Sequence, residues 1–197
     1  MFPESPAAAA ALSVATRFHS PALLNHSIRS YLWGAMYGAA HGIAFDDELF
    51  YVSALLHDIG LAGAFDNDKL AFEVAGGHVA WVFGVAAGWG ERRAGRAGEI
   101  IVRHMREDVS AAADPESHLL QVATGWEVVG RRPEEFPPDA RTEMLGRYPW
   151  LGFGPEILAN FEDQATRKPD SACAASVGER GMAGLVAANP LEGHRPA

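Results

Sequence analysis

Apolar residues recur every third or fourth position through most of this chain, and the alternating pattern of a half-buried strand is almost nowhere to be found. Ser20-Pro21 pairs a capping hydroxyl with a proline at the first helical position. Behind it Leu24, Ile28, Leu32, Ala35 and Ala39 form one stripe, closed by Gly42. Asp46 caps a second helix with Leu49, Val52, Leu56 and Ile59 inside, and Gly60 reads as its stop. Further helices are expected over roughly residues 68–87, thinned at Gly76-Gly77, and 91–105. Another opens at Asp114-Pro115, with Leu119, Val122, Trp126 and Val129 on one face, and shorter ones are expected over 133–149 and 154–167. The fold class is therefore all-α, a bundle of about six to eight helices.

The 197 residues suit one domain with a sizeable core. We place an N-terminal helix or extension at 1–19, the main domain at 20–168, and a tail at 169–197 whose Ala, Gly and Pro content suggests loose packing. With Lys+Arg 16 against Asp+Glu 25, the net charge of -9 disfavours binding to a nucleic-acid backbone. A small phosphate in a local basic pocket stays compatible with it. The alanine-rich start, Met1 to Leu12, has neither the basic region of a signal peptide nor a membrane-length apolar run. A cytoplasmic protein with a small-molecule partner and no membrane or nucleic-acid partner is the expectation, and a homo-oligomer is compatible with it. A single cysteine, Cys173, rules out an internal disulfide and a cysteine-rich zinc site. A metal would have to be held by histidine and carboxylate, which suits zinc, iron or manganese.

His57-Asp58 follows the apolar run Val52-Ser53-Ala54-Leu55-Leu56, so two polar side chains end a buried helix. Coordinating a metal would compensate their burial; capping the helix at the surface would serve equally for the dipeptide alone. His26 lies within another apolar stripe, with Asn25 and Arg29 on the same broad side and Trp33 four residues further on. If the two helices are neighbours, two imidazoles and a carboxylate can meet.

The run Asn25-His26-Ser27-Ile28-Arg29, followed about thirty residues later by Leu55-Leu56-His57-Asp58-Ile59-Gly60, resembles the HD superfamily of metal-dependent enzymes, and more specifically its cyanamide-hydratase-type branch. Phe72-Glu73-Val74-Ala75-Gly76-Gly77, Ile101-Val102-Arg103-His104, Leu120-Gln121-Val122-Ala123-Thr124, Tyr148-Pro149-Trp150-Leu151-Gly152-Phe153 and Arg167-Lys168-Pro169 extend the similarity over roughly residues 20–170. The resemblance implies an HD-type helical bundle and a ligand set of His26, His57, Asp58 and a distant acid. The family's aspartate at that last position is Glu127 here, a departure that either adjusts the site or turns the residue into support for another ligand. The resemblance also implies a divalent metal, zinc first and iron or manganese as alternatives.

In binuclear members two further histidines hold a second metal, and His78 and His104 fall in the corresponding interval. In the hydratase-like branch the histidine at the place of His104 faces substrate, which casts His104 and Asp58 as proton donors. His78 is then a supporting residue, Asn25 and Thr124 orient substrate, and Arg29 holds a ligand carboxylate. His19, His41, His118 and His194 carry no motif and read as surface or packing residues. Trp33, Tyr37, Trp81, Trp89 and Trp126 read individually as core, with Trp126 the one expected to touch the site.

What the resemblance implies chemically is a metal-activated water added to a small nitrile such as cyanamide, giving urea. The competing reaction is hydrolysis of a nucleotide or other phosphoester. For that one, Arg29, Arg103 and Arg106 are the only cations near the motifs. A diiron oxygenase and a degenerate ligand-binding domain complete the alternatives.

Overall fold

The computed structural model describes residues 2–106 and 109–192; His194 lies outside the described residues. These form ten α-helices and two 3-10 turns, with no strand among them. The helices are α1 (Pro6–Phe18), α2 (Pro21–His41), α3 (Asp47–Leu56), α4 (Phe72–Ala86), α5 (Glu91–Arg103), α6 (Pro115–Val129), α7 (Pro138–Arg147), α8 (Phe153–Arg167), α9 (Ala172–Gly178) and α10 (Met182–Ala187). The 3-10 turns are Ile59–Leu61 and Pro133–Glu135.

Helix starts follow local chemistry. The Ser20 hydroxyl accepts the Leu23 N–H at 3.1 Å, and Asp46 Oδ1 accepts the Leu49 N–H at 3.0 Å. Asp114 caps α6 in the same way. Gly42 and Gly130 end α2 and α6 in the left-handed conformation. The helix expected from about residue 68 begins at Phe72, where Ala71 supplies no capping side chain. Pro137-Pro138 splits the segment expected over 133–149 into a 3-10 turn and α7.

α2 lies at the centre, packed against α3, α6 and α8, while α4 and α5 pair closely beside α3. The fully buried side chains of Trp33, Phe50, Leu55, Leu56, Trp126 and Phe153 fill the space between them.

Gly60 is required for a reason other than the expected helix stop. Its φ is not positive, but a Cβ there would lie 2.0 Å from the Phe72 carbonyl oxygen. The absent side chain lets the turn after His57-Asp58 press onto the start of α4. Gly60→Ala is therefore expected to destabilise the protein by about 1–3 kcal/mol or more, since backbone must move. Urea unfolding checks it, and a change below about 0.5 kcal/mol would contradict the close approach.

The helix count exceeds the expected six to eight because α1 and the tail are both ordered helices. The tail is docked rather than loose: Cys173, Met182, Val186 and Leu191 are buried. Asn189 Nδ2 donates to the Glu127 carbonyl at 2.7 Å, fastening the tail to the end of α6. No described helix is long and apolar enough to cross a membrane.

Candidate metal centre

α2 and the end of α3 bring His26, His57 and Asp58 to one buried point. His26 Nε2 and His57 Nε2 are 3.1 Å apart, and Asp58 Oδ2 lies 3.2 Å from His57 Nε2 and 3.5 Å from His26 Nε2. Among the described residues this is the only group of three or more potential ligands with converging atoms.

The tautomers follow from the neighbours. His57 Nδ1 donates to the Ala54 carbonyl at 2.8 Å, and His26 Nδ1 lies 3.2 Å from Glu127 Oε2. With both Nδ1 positions occupied as donors, both Nε2 lone pairs point at the same place. That arrangement is unfavourable unless a proton or a cation lies between them. Burial opposes charge on His57, yet the adjacent Asp58 carboxylate outweighs it and raises the pKa. Burial likewise opposes the Asp58 charge, but the two imidazoles hold that carboxyl below its usual range. Two imidazole nitrogens, each ring oriented from behind through its Nδ1, and one carboxylate oxygen form a donor set that fits a divalent transition metal such as zinc, iron or manganese.

Glu127, expected as the fourth ligand, is not among the converging atoms. It stands behind the His26 ring, and its oxygens are taken from three sides. Arg29 donates from Nη2 at 2.7 Å and from Nε at 3.0 Å to Oε2, with Nε also 3.0 Å from Oε1, and Trp33 Nε1 donates to Oε1 at 2.6 Å. His26, Arg29 and Trp33 occupy positions i, i+3 and i+7 of α2, one helix face, and that face receives Glu127 from α6. Burial alone would raise the Glu127 pKa, but Arg29 and His26 hold it down at about 2. The carboxylate is charged and committed to Arg29, Trp33 and the far nitrogen of His26.

His104, immediately after α5, is buried with its ring 5.0 Å from that of His57. Its Nδ1 donates to the Ile101 carbonyl, which leaves Nε2 as an acceptor. Burial pushes its pKa down to about 3, so the ring is neutral near pH 7. Thr124 lines the same cavity, and its hydroxyl donates to Leu120 O at 2.9 Å. Asn25 does not reach the cavity: its Nδ2 donates to the Pro149 carbonyl at 2.9 Å. Arg29 Nη1 joins it there, bonding the Tyr148 and Pro149 carbonyls at 3.0 and 3.1 Å. The Tyr148–Trp150 turn is thereby fixed over the outer side of α2. His78 is exposed on α4 and does not join the cluster, so the structure assembles no second metal site from His78 and His104.

Several residues went unread in the sequence. Phe153 stacks flat on His26, with centroids 4.1 Å apart and planes at 14°. Trp126, expected at the site, stacks on Phe136 in the core instead, and it is Trp33 that meets the site through Glu127. His19, which carries no motif in the sequence, is buried with Nδ1 3.4 Å from Ser27 Oγ and Nε2 without a hydrogen-bond partner. Burial lowers its pKa to about 4, with Asp58, His57 and His26 all close enough to act on it. Only its position seven residues before His26, just ahead of α2, hinted at this. Glu73 is also buried; burial raises its pKa, and Asp58 adds to the shift.

A cavity of about 100 Å³ opens beside the cluster, reaching His26, His57, Asp58 and His104. An all-helical domain with a buried His-His-Asp cluster at the end of such a cavity has the donor set of a metal-binding class. Residues 23–140 match the HD domain family, more than half of the chain, and the protein belongs to that family. The curated proteins contain no match to the chain.

Proposed function

We propose that the protein is a metal-dependent hydratase or hydrolase that delivers water to a small substrate, with a nitrile of the cyanamide type as the first candidate. The observation that carries this reading is the convergence of His26 Nε2, His57 Nε2 and Asp58 Oδ2 at the buried end of a cavity. HD domains are generally metal-dependent hydrolases, in keeping with that cluster. Those three residues would hold one divalent cation, zinc first. When bound, it supplies Lewis acidity and makes a water nucleophilic near neutral pH.

The chain's own groups then have defined tasks. Glu127 and the Ala54 carbonyl hold the imidazoles of His26 and His57 in the ligating tautomer. His104, expected as a proton donor, is neutral and offers a lone pair at Nε2, which accepts a hydrogen bond from water or substrate in the cavity. Thr124 shapes the cavity wall, and Phe153 covers one face of His26.

Purified protein reconstituted with zinc, iron or manganese is expected to retain about one metal per chain by mass spectrometry and to release urea from cyanamide. Two metals per chain would favour phosphoester or oxygen chemistry, and none would favour a ligand-binding domain. Because a bound ion stabilises the folded state, metal at 1,000-fold above its Kd should add about 4.1 kcal/mol. At this chain length that is a rise in Tm of roughly 8–16 °C, reversed by a chelator. An unchanged Tm would count against a site formed only in the folded protein.

A further inference from the structure

We propose that the cavity selects a compact organic anion, a substrate whose short apolar body carries one carboxylate or phosphate group bound by Arg106, Arg131 and Arg180. The proposal rests on the metal-centre reading only for where the reacting bond lies.

Charge is the first reason. In a chain of net charge -9, the charged side chains lining this cavity among the described residues, apart from the histidines, are three arginines and the carboxylate of Asp58. None of the three is one that the sequence suggested for phosphate other than Arg106. Arg29 is committed to Glu127, and Arg103 Nη1 donates to Asp114 at 2.6 Å. Depth is the second reason. The cluster is buried, whereas Arg106 and Arg131 are exposed, so the lining runs from a metal-binding floor to a cationic mouth. A guanidinium there keeps water when no ligand is bound and offers a planar, bidentate fit to carboxylate or phosphate.

The walls give the third reason. Val128, Ile157, Phe161, Met182 and Leu185 supply apolar surface that cyanamide at the metal-binding end would leave uncovered and a short aliphatic body would cover. At about 100 Å³ the space is also well below the roughly 300–1,000 Å³ of pockets for drug-sized ligands. A short aliphatic body suits it better than a nucleoside.

Origin within the chain makes this a specificity element. The family match ends at residue 140, and Ile157, Phe161, Arg180, Met182 and Leu185 all lie beyond it, on α8, on α10 and in the link between α9 and α10. The family domain brings the metal-binding cluster, and the C-terminal segment brings one wall and one arginine.

The test is calorimetric binding of butyrate, n-butyl phosphate and neutral butyramide to the full metal-loaded chain. Both anions are expected to bind at least tenfold more tightly than butyramide. Arg131→Met and Arg180→Met should each weaken the anions about fivefold or more without changing butyramide, and Arg131→Lys should keep part of the preference. The tighter anion identifies the head group, carboxylate or phosphate. Equal binding of butyramide and the anions would overturn the proposal. So would an anion preference that disappears with the metal yet survives both methionine variants, because the anions would then sit on the metal. A chain that takes up no metal but keeps an arginine-dependent preference would sink the metal reading and leave this one standing.

Discussion

A His57→Ala variant is expected to lose stoichiometric metal and at least about 10³-fold in metal-dependent activity while keeping its helical content. His57 Nε2 is the middle atom of the cluster, 3.1 Å from His26 Nε2 and 3.2 Å from Asp58 Oδ2. Without it two donor atoms 3.5 Å apart remain, and two donors hold a divalent cation poorly. Removing a group that merely supports a ligand costs about 10–100-fold in metal affinity or activity, so deleting the central ligand should exceed that range. The comparison variant is His41→Ala. His41 stacks on Tyr37 and pairs with Glu135 at 3.3 Å, remote from the cluster, and its loss should leave metal content unchanged. Metal content by mass spectrometry and far-ultraviolet circular dichroism decide the matter together. Full metal content in His57→Ala would show that the cluster is not the metal centre.

Why was this site readable at the level of His26, His57 and Asp58 but not beyond? Periodicity and caps put His26 on one helix and His57-Asp58 at the end of the next, and adjacency of sequential helices supplies their meeting. The direction of a side chain between helices is a different matter. Glu127 sits where a distant acid was expected, but its rotamer is set by Arg29 and Trp33, which reach it from α2. Arg29 and Trp33 share a face with His26 by spacing alone, so that platform was legible; the resemblance implied that Arg29 holds a carboxylate, but not that this carboxylate is Glu127. Gly60 illustrates a related limit. The sequence marks a glycine after a helix, and only the position of the Phe72 carbonyl shows that close approach, not handedness, requires it.

The packing of the tail was not legible, for a compositional reason. Alanine and glycine suggested weak packing, yet small residues also let α9 and α10 lie close against α8 and α6. Arg131 and Arg180 lie far apart in the chain, and both line one cavity. No spacing rule brings them together, because their meeting depends on how the tail docks. The fold class was set by local patterns, whereas the cavity was set by contacts between segments that carry no shared pattern.

Arg29→Met should destabilise the protein by roughly 3–5 kcal/mol, the range for stranding one member of a buried ion pair. Both Arg29 and Glu127 are fully buried, with Nη2 2.7 Å from Oε2. Methionine fills much of the same volume, so the loss reports an unpaired carboxylate rather than a cavity. The Arg29→Met/Glu127→Gln double variant should recover a large part of that loss, because the amide is neutral and still offers an oxygen to Trp33 Nε1–H. Acid titration gives an independent readout. Glu127 titrates at about 2 in the folded chain against 4.5 when unperturbed, so its contribution is complete above about pH 4.5. It is lost as pH falls from there to about 2, where the folded protein takes up the proton that the unfolded chain already holds. Urea unfolding between pH 5 and 3 should therefore show a shallower dependence on pH in Glu127→Gln than in the wild type, by up to one proton. A loss under about 1 kcal/mol in Arg29→Met, or identical pH slopes, would mean that this pair does not hold the charge behind His26. The support assigned to Glu127 would then have to come from Trp33 alone.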